Sequence, residues 1–233
     1  MDQRLRAPWQ PWEAIPVVVA ALAAAVLASV AFTAVLGGPG GSALLLTSIA
    51  FQGSLAGFTL LWVAFRYRPW LPALGLRSER TAKDVAVGAW TGAAIFVGAA
   101  FLVLPVLMFL WELVSGGPPP QISQPILPLD PTPAQIVLSV VAVIVAAPLG
   151  EELFFRGFLF GSLRARISFL PAAAISGLVF GLFHVQPLLV AVMVFVGIAL
   201  AFLYERRRSL AVCIAAHAIF NLIGYTLIVM QRL

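Results

Sequence analysis

Long apolar runs without charged residues dominate the chain. Residues Ala14–Phe65 contain no Asp, Glu, Lys or Arg, and a Gly-Pro cluster at Gly37–Gly41 divides this run into two halves. Ile167–Tyr204 is a second uncharged run, and Pro187 interrupts it. Because about 20 apolar residues cross the hydrocarbon core of a bilayer, each of these halves is a candidate transmembrane helix.

Applied to the whole chain, the pattern predicts an all-α, polytopic transmembrane helix bundle of about seven spans, with six to eight as the range. The predicted spans are Ala14–Leu36, Ala43–Phe65, Val85–Leu113, Ala134–Leu163, the two halves of Ile167–Tyr204, and Ser209–Met230. A proline-rich loop at Ser115–Pro133 divides the chain. We therefore expect an N-terminal three-span region at 1–133, without a recognisable motif, and a second region at 134–233 that carries the polar motifs.

Composition excludes several classes of protein. Hydrophobic residues make up 62% of the 233 residues and charged residues only 10%, whereas soluble domains are about 45–50% apolar and about 25% charged. A disordered chain or a nucleic-acid-binding protein is equally excluded, and no nucleic-acid partner is expected. The single cysteine excludes an internal disulfide framework and a multi-cysteine zinc site.

The positive charges follow the predicted topology. Of the 14 Lys and Arg residues, 12 lie in the amino-terminal segment and in the second, fourth and sixth connections between spans. The positive-inside rule predicts that these segments, and hence the amino terminus, are cytoplasmic. We expect a multi-pass protein of the cell membrane, or of the endoplasmic reticulum membrane in a eukaryotic source. All six tryptophans lie at or near predicted span ends, where they are expected to act as interfacial anchors.

Three charged residues lie inside one apolar helix. The segment PLGEELFFRGFLFG contains Glu151, Glu152 and Arg156, and each charge at mid-bilayer costs roughly 2.5–3.5 kcal/mol on insertion scales. Glu152 and Arg156 are four residues apart and can form an ion pair on one helix face. Glu151 is rotated by about 100° from Glu152 and has no cation at helical spacing, so this carboxylate is predicted to remain free.

The remaining polar residues of the last spans are few. His184 ends the segment SGLVFGLFH, one turn after Phe180, and His217 precedes Asn221 by one turn in HAIFN. A lone His in an apolar helix is more often structural than catalytic. The joint presence of carboxylates, two His and an Asn in neighbouring spans favours a common site instead.

Two further features concern helix packing. The pairs Gly157/Gly161 and Gly177/Gly181 would allow their two helices to approach closely and bring Glu151 to His184. Gln52 lies in the middle of the second span and is expected to hydrogen-bond to a neighbouring helix.

In this order and spacing, the motifs EE-x3-R (Glu151, Glu152, Arg156), F-x3-H (Phe180, His184) and H-x3-N (His217, Asn221) resemble those of the CAAX prenyl protease 2 group. This group belongs to the wider family of CAAX proteases and bacteriocin-processing enzymes, the CPBP or ABI family of intramembrane endopeptidases. The resemblance covers roughly residues 133–225 and is carried by all three motifs together.

The resemblance implies a glutamate-type intramembrane endopeptidase that hydrolyses a peptide bond of a membrane-associated peptide or protein, lipidated substrates included. In the family, the first Glu and the second-motif His activate a water, which here would be Glu151 with His184. The third-motif residues, here His217 and Asn221, would stabilise the oxyanion, with Glu152, Arg156 and Phe180 in supporting roles. The implied site needs no metal and no cofactor, and its partners are the substrate and the lipid bilayer.

Three alternatives remain open from the residues. Glu and two His could form the site of a zinc-dependent membrane hydrolase, although the HExxH spacing is absent. Buried Glu and His could instead pass protons in a transporter or proton relay. The third alternative is a non-catalytic membrane adaptor protein with a decayed site.

Overall fold

Apolar helices make up most of the described structure. The computed structural model describes residues 7–76, 81–118 and 130–230, and within these ranges there is no β-strand. Six helices are long and apolar enough to cross a membrane by length and composition. They are α1 (Pro11–Leu36), α2 (Gly41–Arg66), α3 (Thr81–Ser115), α4 (Pro133–Arg164), α6 (Pro187–Arg207) and α7 (Leu210–Met230), and the shorter α5 (Phe169–Leu182) precedes α6. The predicted polytopic all-α bundle is confirmed.

The helix ends agree with the predicted spans to within a few residues. The predicted proline-rich loop at Ser115–Pro133 lies mostly outside the described residues. At its end, the Thr132 hydroxyl accepts a hydrogen bond from the backbone N–H of Gln135, and the Gln135 side chain accepts one from the backbone N–H of Thr132. This capping box, with Pro133 at the first helical position, starts α4.

Helix α5 is shorter than a full span. Its 14 residues extend about 21 Å, against a hydrocarbon core of about 30 Å. The turn that follows contains Val185 at φ 63°, in the left-handed region that a β-branched residue rarely adopts. This turn, which includes His184, follows the end of α5 at Leu182 and reverses the chain into α6.

The prediction that glycines of α4 and α5 pack against each other is wrong, because these glycines contact other helices. A Cβ atom at Gly177 would lie 2.8 Å from the Ile198 side chain, and one at Gly181 would lie 2.6 Å from the Val190 carbonyl oxygen, so both glycines admit α6. On α4, Gly157 faces Leu74 in the short helix Arg68–Leu74 that follows α2. Gly177 and Gly181 therefore allow α5 to pack closely on α6, the next helix in the chain.

Helix α3 packs directly on the backbone of α7. Cβ atoms at Gly88 and Gly92 would collide with the carbonyl oxygens of Val212 and Ala216, respectively. Only glycine allows this approach, since any side chain would push the two backbones apart. Because Ala216 precedes His217, α3 packs against the turn of α7 that carries this histidine.

The amino-terminal segment packs into the bundle beside α4. Trp9 is fully buried, stacks on Phe158 with ring centroids 5.3 Å apart, and donates its indole N–H to the Phe158 carbonyl oxygen at 2.9 Å. Phe158 belongs to the π-helical segment Leu153–Phe160 of α4. The expectation of an interfacial anchor is therefore wrong for Trp9, because the irregular helix offers its ring a buried partner and a carbonyl acceptor.

Charged residues meet at one end of the bundle. Asp84 at the start of α3 pairs with Arg207 at the end of α6 at 2.6 Å, and Arg164 at the end of α4 lies 3.0 Å from Glu205 of α6. The described basic residues of the fourth and sixth connections thus share one end, as the alternation predicts. Arg4, Arg6, Arg77 and Arg80 lie outside the described residues. The side of the membrane remains a prediction.

We predict that Gly92→Ala lowers the thermal unfolding midpoint in detergent, because the added methyl group must displace the backbone of α7. Gly57→Ala is the matched control, since a Cβ atom at Gly57 in α2 meets nothing within 4 Å. Alanine is favoured over glycine in a helix by up to about 1 kcal/mol, so this control should unfold at the same or a higher temperature. Equal midpoints for Gly92→Ala and wild type would contradict the close α3–α7 contact.

Candidate active site

Glu152, Arg156 and His217 form a buried charged cluster between α4 and α7. Glu152 Oε1 lies 3.0 Å from Arg156 Nη1 and accepts a hydrogen bond from His217 Nδ1 at 2.8 Å. All three side chains are at most 3% exposed. The predicted ion pair between Glu152 and Arg156 is confirmed. The structure adds His217 as the second partner of the same carboxylate oxygen.

The neighbouring carboxylate has different partners. Glu151 Oε1 accepts a hydrogen bond from Gln52 Nε2 of α2 at 2.7 Å. Glu151 Oε2 lies 3.8 Å from His217 Nε2 and has no hydrogen-bond partner among the described residues. The prediction that the Glu151 carboxylate remains free is wrong for Oε1, which Gln52 binds. Glu151 does not share the Arg156 ion pair of Glu152, because rotation by one residue turns its carboxylate away from that face of α4.

Two nitrogens of one imidazole therefore face two carboxylates. A ring nitrogen that bonds to a carboxylate carries the hydrogen, so His217 Nδ1 donates to Glu152 and Nε2 is directed towards Glu151. A separation of 3.8 Å is too long for a direct hydrogen bond. It is compatible with one water that donates to Glu151 Oε2 and also bonds to His217 Nε2 from the side.

Phe180 packs at the centre of the polar residues. Its ring lies 5.1 Å from the His184 ring, 5.8 Å from the His217 ring and 4.5 Å from the Arg156 guanidinium carbon. The guanidinium over the ring face is a cation–π contact. Phe180 is itself fully buried and contacts both imidazoles. Its supporting role in a reaction stays a prediction.

His184 lies at the end of α5 and is only partly buried. Its Nδ1 is 3.1 Å from the Phe180 carbonyl oxygen, so Nδ1 carries the hydrogen when the ring is neutral and Nε2 is the acceptor. The next residues leave the helix, with a hydrogen bond from the backbone N–H of Gln186 to the His184 carbonyl oxygen at 2.7 Å. Non-helical backbone at membrane depth is tolerated where protein buries it or where it lines a water-filled cavity.

Asn221 is bound to the backbone of α4 rather than to the other polar side chains. Its Nδ2 donates to the Val143 carbonyl oxygen at 2.8 Å. Val143 belongs to the π-helical turn Val141–Ala146, in which the N–H of Ala147 bonds to the carbonyl of Ala142. The next donor in this series would be residue 148, which is a proline and has no N–H. Asn221 therefore satisfies the carbonyl that Pro148 leaves without a partner.

Asn221 and His184 differ from the other predicted site residues in that neither bonds directly, within the described part of the chain, to the cluster of Glu151, Glu152, Arg156 and His217. Contacts join Glu151, Glu152, Arg156, Phe180 and His217 directly, and His184 joins them through the Phe180 ring and carbonyl. One of the two Nδ2 hydrogens of Asn221 is used on α4, and the other remains for a further acceptor. The oxyanion role of Asn221 stays a prediction.

Gln52 contacts the site although the sequence did not predict it to be a site residue. Its expected hydrogen bond to a neighbouring helix is confirmed, and the acceptor is Glu151 itself. The only sequence signal was an amide in the middle of a charge-free run. That signal indicates a polar neighbour, but it cannot say which of the other helices supplies it.

Within the described residues, no group of three or more His, Cys, Asp or Glu side chains is arranged to hold a metal ion. The two Glu and His217 come closest to each other, and one of these carboxylates is already bound to Arg156. The reactive groups of this site are therefore Glu151 Oε2, which has no hydrogen-bond partner among the described residues, the His217 imidazole and the partly accessible His184 imidazole.

Comparison with known proteins supports the resemblance found in the motifs. Residues 133–223 match the family model described as "Type II CAAX prenyl endopeptidase Rce1-like". A protein of Bacillus subtilis (strain 168), named "Putative membrane peptidase YdiL", is 31% identical over 86 residues, which are 37% of this chain and 35% of that protein. The match thus spans about a third of the length of this relative. No solved structure matches the chain.

The resemblance to the CAAX protease family is thereby confirmed in residues 133–223. The matched segment begins with α4 and ends within α7, so it includes Glu151, Glu152, Arg156, Phe180, His184, His217 and Asn221. Helices α1 to α3 and Gln52 lie outside the match.

We predict that Glu152→Gln destabilises the fold strongly, because it leaves Arg156 buried without a counter-charge. Removal of one partner of a buried ion pair costs about 3–5 kcal/mol. Glu205→Gln is the matched control, since Glu205 pairs with Arg164 and Arg208 at a partly exposed position, where ion pairs contribute about 1 kcal/mol or less. The yield of monodisperse protein and the thermal midpoint in detergent measure both. Similar midpoints for the two variants would contradict the structural role of Glu152.

Proposed function

We propose that this protein is an intramembrane endopeptidase that hydrolyses a peptide bond of a membrane-associated peptide or protein. The observation that carries the proposal is the unequal environment of the two adjacent carboxylates. Among the described residues, Glu152 Oε1 is bound by Arg156 and His217, and Glu151 Oε1 by the neutral Gln52 amide. The second oxygen of each carboxylate has no hydrogen-bond partner there, and that of Glu151 faces His217 Nε2. The match of residues 133–223 to a CAAX prenyl endopeptidase family supports the same reaction class.

In the proposed mechanism, a water lies beside Glu151 Oε2, and Glu151 with His184 acts as the general base. As the water oxygen forms a bond to the carbonyl carbon of the peptide, one of its protons passes to this pair. The carbonyl π electrons move to oxygen and produce a tetrahedral oxyanion. On collapse, the C–N bond breaks and the proton held by the base passes to the departing nitrogen, which yields a carboxylic acid and an amine.

His217 and Asn221 are the proposed donors to the oxyanion. When His217 is doubly protonated, Nδ1 remains on Glu152 and Nε2–H is available towards the space beside Glu151. The Glu152 oxygen that accepts from Nδ1 also pairs with Arg156, which fixes the position of the His217 ring. Fixed donors in a site that excludes bulk water stabilise a developing oxyanion without reorganisation at the moment of reaction.

The proposed membrane topology follows from the distribution of basic residues. The ion pairs Asp84–Arg207 and Arg164–Glu205 lie at one end of the bundle, and the positive-inside rule assigns this end to the cytoplasm. We propose that the protein lies in the cell membrane and that its amino terminus is on the same, cytoplasmic side. Lipidated and unlipidated peptides remain alternative substrates within this proposal.

Glu151→Gln should abolish peptide cleavage, since an amide cannot accept the proton of the attacking water. Because Gln keeps the size of Glu and the ion pair of Glu152 is untouched, the variant should remain folded. Turnover of a quenched fluorescent peptide in nanodiscs, with the thermal midpoint measured on the same sample, provides the test. Wild-type turnover in Glu151→Gln would exclude Glu151 as the base, and loss of wild-type activity to a chelator with recovery on added Zn²⁺ would favour the zinc hydrolase instead.

Asn221→Ala should lower turnover by roughly 10²–10³, the usual effect of removing one oxyanion donor, with little change in substrate affinity. The substitution also leaves the Val143 carbonyl without its partner, so stability should fall as well. Pro148→Ala separates the two effects, because alanine, unlike proline, carries the backbone N–H that the Val143 carbonyl lacks.

In the Pro148→Ala background, the stability cost of Asn221→Ala should largely disappear while the loss of turnover persists. Turnover and thermal midpoint are measured for the wild type, both single variants and the double variant. Recovery of turnover together with stability would assign Asn221 a purely structural role.

A further inference from the structure

Gln52 provides the one hydrogen bond that the described residues make to the Glu151 side chain. It lies in the middle of α2, is 7% exposed, and donates from Nε2 to Glu151 Oε1 at 2.7 Å across 99 residues of sequence. A carboxylate only accepts hydrogen bonds, so the amide nitrogen rather than the amide oxygen is the atom that faces it. This contact comes from outside the residues that match the CAAX prenyl endopeptidase family.

The backbone of α4 is shaped to admit Gln52. A Cβ atom at Gly150 would lie 2.6 Å from the Gln52 backbone carbonyl oxygen and 2.8 Å from its Oε1. Residue 150 must therefore be glycine for α2 to approach this closely. The approach lies directly beside Glu151, so two independent features, a hydrogen bond and a close backbone contact, place Gln52 against the same carboxylate.

An amide donor orients this carboxylate without cancelling its charge. Arg156 neutralises Glu152 by forming an ion pair with it, and a similar cation at position 52 would do the same to Glu151. The neutral amide instead occupies Oε1 and leaves Oε2 directed towards His217 Nε2. A charge-assisted hydrogen bond of this kind is stronger than one between neutral groups and restricts rotation of the carboxylate.

We infer that Gln52 is a positioning residue for the reaction, which holds Glu151 Oε1 so that Oε2 faces the attacking water. This inference rests on the proposed endopeptidase function, in which Glu151 is the base. It assigns the N-terminal helices a part in the reaction, because α2 supplies the group that orients the base carried by α4.

The test compares Gln52→Met with the wild type in nanodiscs. Met matches Gln in length and is compatible with an apolar helix, but it cannot donate a hydrogen bond. We expect kcat to fall about 10- to 100-fold, the range for loss of a hydrogen bond to a charged group, while KM stays within about twofold of the wild-type value, because the base acts after substrate binding.

Ser42→Ala is the matched control. Ser42 Oγ accepts a hydrogen bond from Gln135 Nε2 at 3.2 Å. This bond joins the same two helices, α2 and α4, but at residues far along each helix from Gln52 and Glu151. Its loss should leave kcat within about twofold of wild type. If Gln52→Met and Ser42→Ala lowered kcat equally, Gln52 would be a general tie between helices and the inference would be wrong.

If Gln52→Met does not fold, Gln52→Asn is the second variant that tests the inference. Asn keeps the amide, but its side chain is one methylene shorter and cannot reach Glu151, so a reduced kcat is expected for it too. Wild-type kcat in a folded position-52 variant, together with an inactive Glu151→Gln, would overturn the inference and leave the endopeptidase proposal intact. Activity in Glu151→Gln would overturn the endopeptidase mechanism itself.

Discussion

The ion pair between Glu152 and Arg156 is the interaction on which the rest of the structure depends. Unpaired, each charge at mid-bilayer would cost roughly 2.5–3.5 kcal/mol on insertion scales, and the two are at most 1% exposed. Their remaining contacts come from three other helices: His217 of α7, the Phe180 ring of α5, and the Gly197 carbonyl of α6, which accepts from Arg156 Nη2 at 3.4 Å. Burial of one ion pair in α4 therefore brings four helices together.

The same interaction separates two adjacent carboxylates into different roles. Glu152 Oε1 is bound by Arg156 and by His217, whereas Oε1 of Glu151, one residue earlier, accepts from a neutral amide among the described residues. Pairs of titratable groups in contrasting environments are the usual basis on which acid, base and structural roles are divided. Helix rotation directs the two carboxylates of one continuous helix to different partners, Gln52 of α2 for Glu151 and His217 of α7 for Glu152.

Departures from regular helix geometry place the other groups. The π-helical turn before Pro148 leaves a carbonyl that binds Asn221 to α4, and the π-helical segment after Glu152 presents Phe158 to the indole of Trp9. The short α5 ends at the depth of the site, so that His184 lies on a turn rather than inside a full span. Irregular helix segments of this kind are frequent at functional sites.

Local sequence determined the elements and the pairing within them. Charge-free runs of sufficient length predicted the helices, and the four-residue spacing predicted the ion pair of Glu152 and Arg156, because both depend on the periodicity of a single helix. The motif residues pointed to a common site, and their spacing within each helix was readable in the same way. Contacts between helices could not be read from the sequence, since periodicity specifies which face of a helix a residue occupies but not which other helix covers that face.

Only the tertiary structure decided which helices contact one another. Gly177 and Gly181 admit α6 instead of α4, Trp9 is buried on Phe158 instead of lying at an interface, and Gln52 binds Glu151 from a helix without any motif. Each outcome depends on which apolar surfaces pack together, and in a bundle where nearly every helix face is apolar the sequence carries little information about that choice. Polar atoms then bond to whatever the packing places beside them.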